Sequence, residues 1–61
     1  MHLLRRIDAF LRLSRMPASR FGREAVGDPR FVFDLVNGRQ PRRATVDRVV
    51  AWLDRQEAER A

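Results

Sequence analysis

The chain has 61 residues, no cysteine, and 13 arginines against eight acidic residues, which gives a net charge of +5. A chain this short buries only about 60% of the surface that its unfolded form exposes, so residues 1–61 make a single domain with a small core. The missing cysteines exclude disulfides and cysteine zinc sites, and the one histidine, His2, has no partner ligand, so we expect no metal and no cofactor.

The first predicted helix covers residues 2–14. Five apolar residues follow the i, i+3, i+4, i+7 spacing of one helix face, namely Leu3, Leu4, Ile7, Phe10 and Leu11. Met16-Pro17 ends this helix, because a residue that precedes proline is pushed out of the helical region.

A second helix is predicted over about residues 18–26. Its inward side carries Phe21 and Ala25, and Gly27 is its natural end. The third helix, over about residues 29–37, is short and sharply bounded.

Asp28 is a good N-cap for this third helix, and Pro29 suits a first helical position, where its missing N–H costs nothing. Val32 and Leu35 face inward, and Asn37-Gly38 ends the helix. Phe31 is either a core residue or a contact residue.

A last helix is predicted over about residues 44–58, with Thr45 as its cap. Its apolar stripe consists of Val46, Val49, Val50 and Leu53. The closing residues, RQEAERA, are expected to fray in solvent. These patterns together predict an all-α protein, a compact bundle of four short helices.

The positive charge is concentrated in the first two thirds of the chain. Residues 1–16 carry four arginines and one aspartate, a net +3, and residues 17–43 carry six arginines and three acids, again +3. Residues 44–61 carry three arginines and four acids, a net −1. A small, strongly basic protein favours polyanions, of which nucleic acid is the usual one.

No apolar run approaches the roughly 20 residues of a membrane span, and charges interrupt the start of the chain, unlike a signal peptide. We therefore expect a cytoplasmic protein without membrane contact. The sequence contains no Ser/His/Asp set, no metal ligand set and no glycine-rich phosphate loop, so we expect neither an enzyme nor a small-molecule substrate.

From Phe21 to Leu53 the chain resembles the Cro/repressor-type, or XRE-like, helix-turn-helix proteins of bacteria and phages. Phe21-Gly22 matches the family's Leu-Ala pair, Val32 and Leu35 its paired apolar positions, and Gly38-Arg39 its helix-ending glycine and basic residue. Pro41 falls near the loop proline, and TVDRVVAWL matches the final helix. The chain departs from the family pattern in its turn, Val26-Gly27 instead of Gly-Val, and in the two aromatic residues of the third helix.

The resemblance implies a λ-repressor-like DNA-binding fold with the third helix in the major groove of double-stranded DNA. The base-contacting residues would be Pro29, Arg30, Phe33, Asp34 and Asn37. Arg30 would bind guanine, Phe33 would touch a thymine methyl group or pack on a neighbouring helix, and Asp34 would accept from cytosine or orient Arg30 at i, i+4.

The resemblance also implies phosphate contacts on both sides of the groove, from Ser19, Arg20, Arg23, Arg39, Arg42 and Arg43. Trp52 lies beside the last apolar stripe and is either packed against the first helix or a dimer contact. We expect a homodimeric transcriptional regulator, a repressor because no separate effector domain is visible, that associates with the bacterial or phage nucleoid.

Two alternatives stay open at this point. The charge alone fits an architectural or excisionase-like protein that coats or bends DNA without sequence preference. The basic, amphipathic first helix also fits a protein-interaction module such as an antitoxin, or a helix that binds an anionic surface.

Overall fold

The computed structural model describes residues 3–60, with the backbone alone at Arg60, and contains four helices in that range. These are α1 (Leu3–Ser14), α2 (Ala18–Val26), α3 (Phe31–Val36) and α4 (Arg43–Arg60). Helix α2 packs against both α3 and α4, and α1 packs against the same two helices. The all-α architecture with four helices is therefore confirmed, while the predicted first helical residue, His2, lies outside the described residues.

Nine residues from all four helices form one continuous core: Ile7, Phe10, Phe21, Ala25, Phe31, Val32, Val49, Trp52 and Leu53. The inward positions predicted for Phe21, Ala25 and Val32 are confirmed, and Leu35 is partly buried against the core. Leu4 is an exception, because it lies at the edge of the buried face of α1 and stays 38% exposed.

Helix α1 ends at Ser14, as predicted. Arg15 takes a left-handed conformation with φ 59°, while its N–H still donates to the Leu11 carbonyl oxygen at 2.8 Å. The next N–H, that of Met16, donates to the Ser14 hydroxyl oxygen at 3.2 Å. The helix therefore ends in a C-terminal geometry that glycine normally provides.

We expect Arg15→Gly to stabilise the fold by roughly 1 kcal/mol, because glycine removes the steric cost of the left-handed conformation. Arg12→Gly is the matched control, since it removes the same charge from within α1 and should destabilise by about 1 kcal/mol. Urea unfolding of the two variants measures both effects, and a loss of stability in Arg15→Gly would contradict the interpretation.

The third helix begins at Phe31, so its predicted start at Pro29 is wrong by two residues. Asp28 and Phe31 close a turn in which the Phe31 N–H donates to the Asp28 carbonyl oxygen at 3.1 Å. Arg30 has φ −96° and ψ 3°, the values of the third residue of a type I turn, for which Asp-Pro is a favoured beginning. The Asp28 carboxylate serves this turn and accepts the Arg30 N–H at 2.9 Å, instead of capping α3.

The last helix is longer than predicted at both ends. Its hydrogen bonds begin with the Val46 N–H to the Arg42 carbonyl oxygen at 3.0 Å, so Thr45 lies inside the first turn and is not the cap. The segment predicted to fray remains helical to Arg60, in agreement with its content of good helix formers. The buried side also shifts, because Val49, Trp52 and Leu53 are buried while Val46 and Val50 are only half-buried.

Arg6 joins the first helix to the last. Its Nη2 donates to Asp54 Oδ1 at 2.5 Å and to Glu57 Oε1 at 3.0 Å. The hydrogen bonds to Asp54 and Glu57, in that order, raise the pKa of Arg6 further above its ordinary value. Its folded-state pKa therefore lies above the unfolded one, and the stabilisation is lost only in strongly alkaline solution, so Arg6 stays charged in any ordinary buffer.

Candidate nucleic-acid interface

Helix α3 has a buried side and an open side. Phe31 and Val32 are 7% and 8% exposed and belong to the core, which settles the open question about Phe31. The open side and the turn before it carry Pro29, Arg30, Phe33 and Asn37, all exposed, and Val36 of α3 is exposed as well. The structure therefore places four of the five predicted base-contacting residues on accessible surface, and leaves the fifth, Asp34, half-buried.

The approach of α3 to α2 depends on a glycine. A Cβ atom built on Gly22 would overlap the Asp28 carbonyl oxygen and lie 3.2 Å from the Cβ of Phe31. Gly27 then turns the chain with φ 73°, and its N–H donates to the Arg23 carbonyl oxygen at 3.0 Å. The Asp28 N–H donates to the Gly22 carbonyl oxygen at 3.1 Å, so the turn between the helices is held to the end of α2.

The pair of Arg30 with Asp34, one of the two alternatives for Asp34, does not form. Arg30 precedes α3 within the Asp28 turn, and its side chain has no ion-pair partner among the side chains that the structure describes. Asp34 instead accepts a hydrogen bond from Arg39, from Nη1 to Oδ2 at 2.9 Å. The guanidinium of Arg30 is therefore exposed and available to an anionic or acceptor-rich partner.

Phe33 is 58% exposed, which excludes the alternative that it packs on a neighbouring helix. Asn37 ends α3 with φ −83° and ψ 8°, and its backbone N–H donates to the Phe33 carbonyl oxygen at 3.0 Å. Within residues 3–60 the exposed side chain of Asn37 makes no hydrogen bond, so it does not hold the end of the helix.

The predicted phosphate-contacting residues are distributed over α2 and the segment between α3 and α4. Ser19 lies half-buried in the first turn of α2. Three of the arginines have acidic partners within the chain: Arg20 with Glu24 at 2.5 Å, Arg39 with Asp34 at 2.9 Å, and Arg43 with Asp47 at 3.5 Å. Arg23 and Arg42 are exposed and have no acidic partner within residues 3–60.

A cleft of about 370 Å³ lies between α2, α3 and the start of α4. Arg39 and Arg42 line it, as predicted phosphate contacts, and so does Arg48 of α4, which the sequence did not indicate. Only helical spacing points to Arg48. It lies three residues after Thr45, which also lines the cleft, and therefore on the same side of α4.

Trp52 is a core residue, so the alternative that it is a dimer contact is wrong. It is 6% exposed and makes edge-to-face contacts with Phe10 of α1 and Phe21 of α2, at centroid distances of 5.3 and 5.1 Å. The physical reason is that α4 is covered by two helices, which widens its buried side beyond the stripe seen in the sequence.

A second concavity, of about 560 Å³, lies between α1 and α3. Its walls are mainly apolar and include Leu4, Leu11 and Val36, together with Arg5 and Asp8.

None of the helices in residues 3–60 is long and apolar enough to cross a membrane. Within the same range, no three His, Cys, Asp or Glu side chains are grouped as a metal site requires.

A scan against protein-family models, a search of curated proteins and a search of solved structures each found no match to this chain.

Proposed function

We propose that the protein is a small DNA-binding protein of the Cro/repressor helix-turn-helix type, with α2 and α3 as the two helices of the motif. The observation that carries this proposal is that Phe31 and Val32 of α3 are buried, whereas Phe33 and the two residues that flank the helix, Arg30 and Asn37, are exposed. In such proteins the second helix of the motif lies in the major groove, with its N-terminal residues against base edges.

The chemistry of the exposed residues supports this assignment. An arginine can donate two hydrogen bonds to guanine O6 and N7, an asparagine can pair with adenine, and an aromatic ring can touch a thymine methyl group. Arg23 and Arg42, on α2 and just before α4, would meet phosphates on either side of the groove. The Arg-rich composition and the net charge of +5 favour the same partner.

The size of the chain supports a two-fold dimer as the DNA-bound form. The described part of the chain extends 31 × 21 × 21 Å. Successive major grooves on one face of a duplex are about 34 Å apart, so one copy would read one half-site and a second copy the next. We therefore propose a homodimeric regulator that represses transcription by occupying its site.

The proposal is tested by selecting bound sequences from random duplexes at physiological salt, followed by footprinting on the selected site. A discrete protected palindrome is the expected result. Continuous protection without a preferred sequence would favour an architectural protein, and the absence of any shift at low salt would leave a protein-interaction module as the better explanation.

Arg30→Ala and Arg42→Ala should weaken DNA binding in different ways. We expect Arg30→Ala to lose about 1–3 kcal/mol of discrimination between the selected site and random DNA, because it removes a base contact. Arg42→Ala should weaken both complexes equally and reduce the salt slope by about one, because it removes a phosphate contact.

Titration of both variants against both duplexes at several salt concentrations measures these effects. With about five phosphate contacts per copy, the wild-type log affinity should fall with log salt at a slope of roughly −4 to −5 for each bound copy. Equal losses of the two variants on specific and random DNA would show that the roles are assigned wrongly.

A further inference from the structure

Asp34 and Arg39 face each other across the chain reversal that ends α3. Gly38 makes this reversal with φ 94°, beyond the reach of most side-chain-bearing residues. The Arg39 backbone N–H donates to the Asp34 carbonyl oxygen at 2.9 Å, and Arg39 Nη1 donates to Asp34 Oδ2 at 2.9 Å. Asp34 therefore holds Arg39 through the backbone and through the side chain at once.

The two partners of this pair differ in exposure. The Asp34 side chain is 27% exposed, whereas that of Arg39 is 68% exposed. A guanidinium group carries five N–H donors in one plane, and the hydrogen bond to Asp34 uses one of them. The carboxylate thus fixes one edge of the guanidinium group, while other donors remain open to solvent.

A carboxylate near the DNA-binding surface normally weakens binding, because it repels phosphate groups. The hydrogen bond from Arg39 gives Asp34 an opposite, favourable effect. It restrains the long arginine side chain in the free protein, and so lowers the entropy cost of ordering that side chain on DNA. The Asp34 carboxylate is partly buried, and its Oδ2 is already engaged by Arg39.

We propose that Asp34 is a positioning residue that orients Arg39 toward a DNA phosphate, and that it does not read a base. This inference rests on the proposed function. Asp34 then contributes, through Arg39, to the affinity for duplexes of any sequence. It does not contribute to sequence preference.

The chain offers a matched control in Asp47, which also faces a predicted phosphate-contacting arginine. Arg43 Nε lies 3.5 Å from Asp47 Oδ1 across one turn of α4, and the Asp47 side chain is 66% exposed. Asp34→Ala and Asp47→Ala each remove one negative charge from the surface near a basic residue. Electrostatics alone would therefore make both variants bind DNA more tightly.

We expect Asp34→Ala to weaken binding to every duplex about twofold to tenfold, the range that corresponds to the cost of ordering one long side chain at an interface. Asp47→Ala should bind as the wild type or more tightly. In an Arg39→Ala background, Asp34→Ala should no longer weaken binding, and Asp34→Glu should restore part of the wild-type affinity. Far-ultraviolet circular dichroism checks that each variant is folded, and Asp34→Asn with Asp47→Asn replaces the alanine pair if Asp34→Ala loses helicity.

Three results would overturn this inference. Asp34→Ala could bind as tightly as Asp47→Ala, its loss could persist without Arg39, or it could change the preferred base at one position, which would make Asp34 a base reader. If the wild-type chain binds no duplex, the proposed function fails and this inference with it. If the wild type binds and any of the three results is obtained, the inference alone fails.

Discussion

Trp52→Ala should remove about 3–5 kcal/mol of stability, the usual cost of truncating a buried tryptophan to alanine. A chain of 61 residues has a total stability of only about 3–9 kcal/mol at the usual values per residue. The side chain is 6% exposed and contacts Phe10 and Phe21 edge to face, so its loss opens the core between α1, α2 and α4. Urea unfolding followed by circular dichroism measures the loss.

Leu13→Ala provides the control for this prediction, because Leu13 lies on α1 and is 77% exposed. A surface substitution of this kind should change stability by less than about 0.5 kcal/mol. Trp52→Phe keeps an aromatic ring and should have an intermediate effect. A Trp52→Ala variant that stays fully stable as a monomer but no longer self-associates would restore the dimer role that the structure rejects.

Gly22→Val is expected to destabilise the chain by about 1–3 kcal/mol or more, the range for overfilled interiors. A Cβ at this position overlaps the Asp28 carbonyl oxygen, which is backbone and cannot rotate away. The turn between α2 and α3 would have to move and would lose the hydrogen bond from the Asp28 N–H to the Gly22 carbonyl oxygen. We therefore expect DNA binding to fall further than the loss of stability alone requires.

Gly27→Asn separates this packing effect from backbone strain. Gly27 has φ 73°, which asparagine tolerates, and a Cβ there meets nothing within 4 Å. Its cost should stay below about 1 kcal/mol. Chemical denaturation and DNA titration are carried out on both variants, and equal effects of the two substitutions would show that the close approach of α3 to Gly22 is unimportant.

The sequence predicts the helices well, because their apolar spacing reflects which residues the core must bury. The ends of α3 and α4 are less predictable. Asp28-Pro29 can begin a helix or a type I turn, since both need an acceptor followed by the φ of proline, and the structure takes the turn. The side chain of Thr45 suits a helix N-cap, but α4 already begins at Arg43, two residues earlier.

The ion pair between Asp34 and Arg39 could not be predicted from the sequence. The helical spacing of Arg30 and Asp34 suggests a pair, but Arg30 lies in the turn before α3 and Asp34 reaches Arg39 instead. The two residues are five positions apart in the sequence, and their pair forms only because Gly38 reverses the chain between them. Periodicity within one helix cannot indicate a contact made across such a reversal.

The enclosed indole of Trp52 gives the protein an internal optical reporter. It is the one tryptophan of the chain, and its aromatic neighbours belong to α1 and α2, whereas the proposed base contacts lie on and around α3. Its emission should be blue-shifted in the native state and move to longer wavelengths when the helices separate. Added duplex should leave its emission maximum nearly unchanged, so folding and ligand titration can be followed independently in one cuvette without an attached dye.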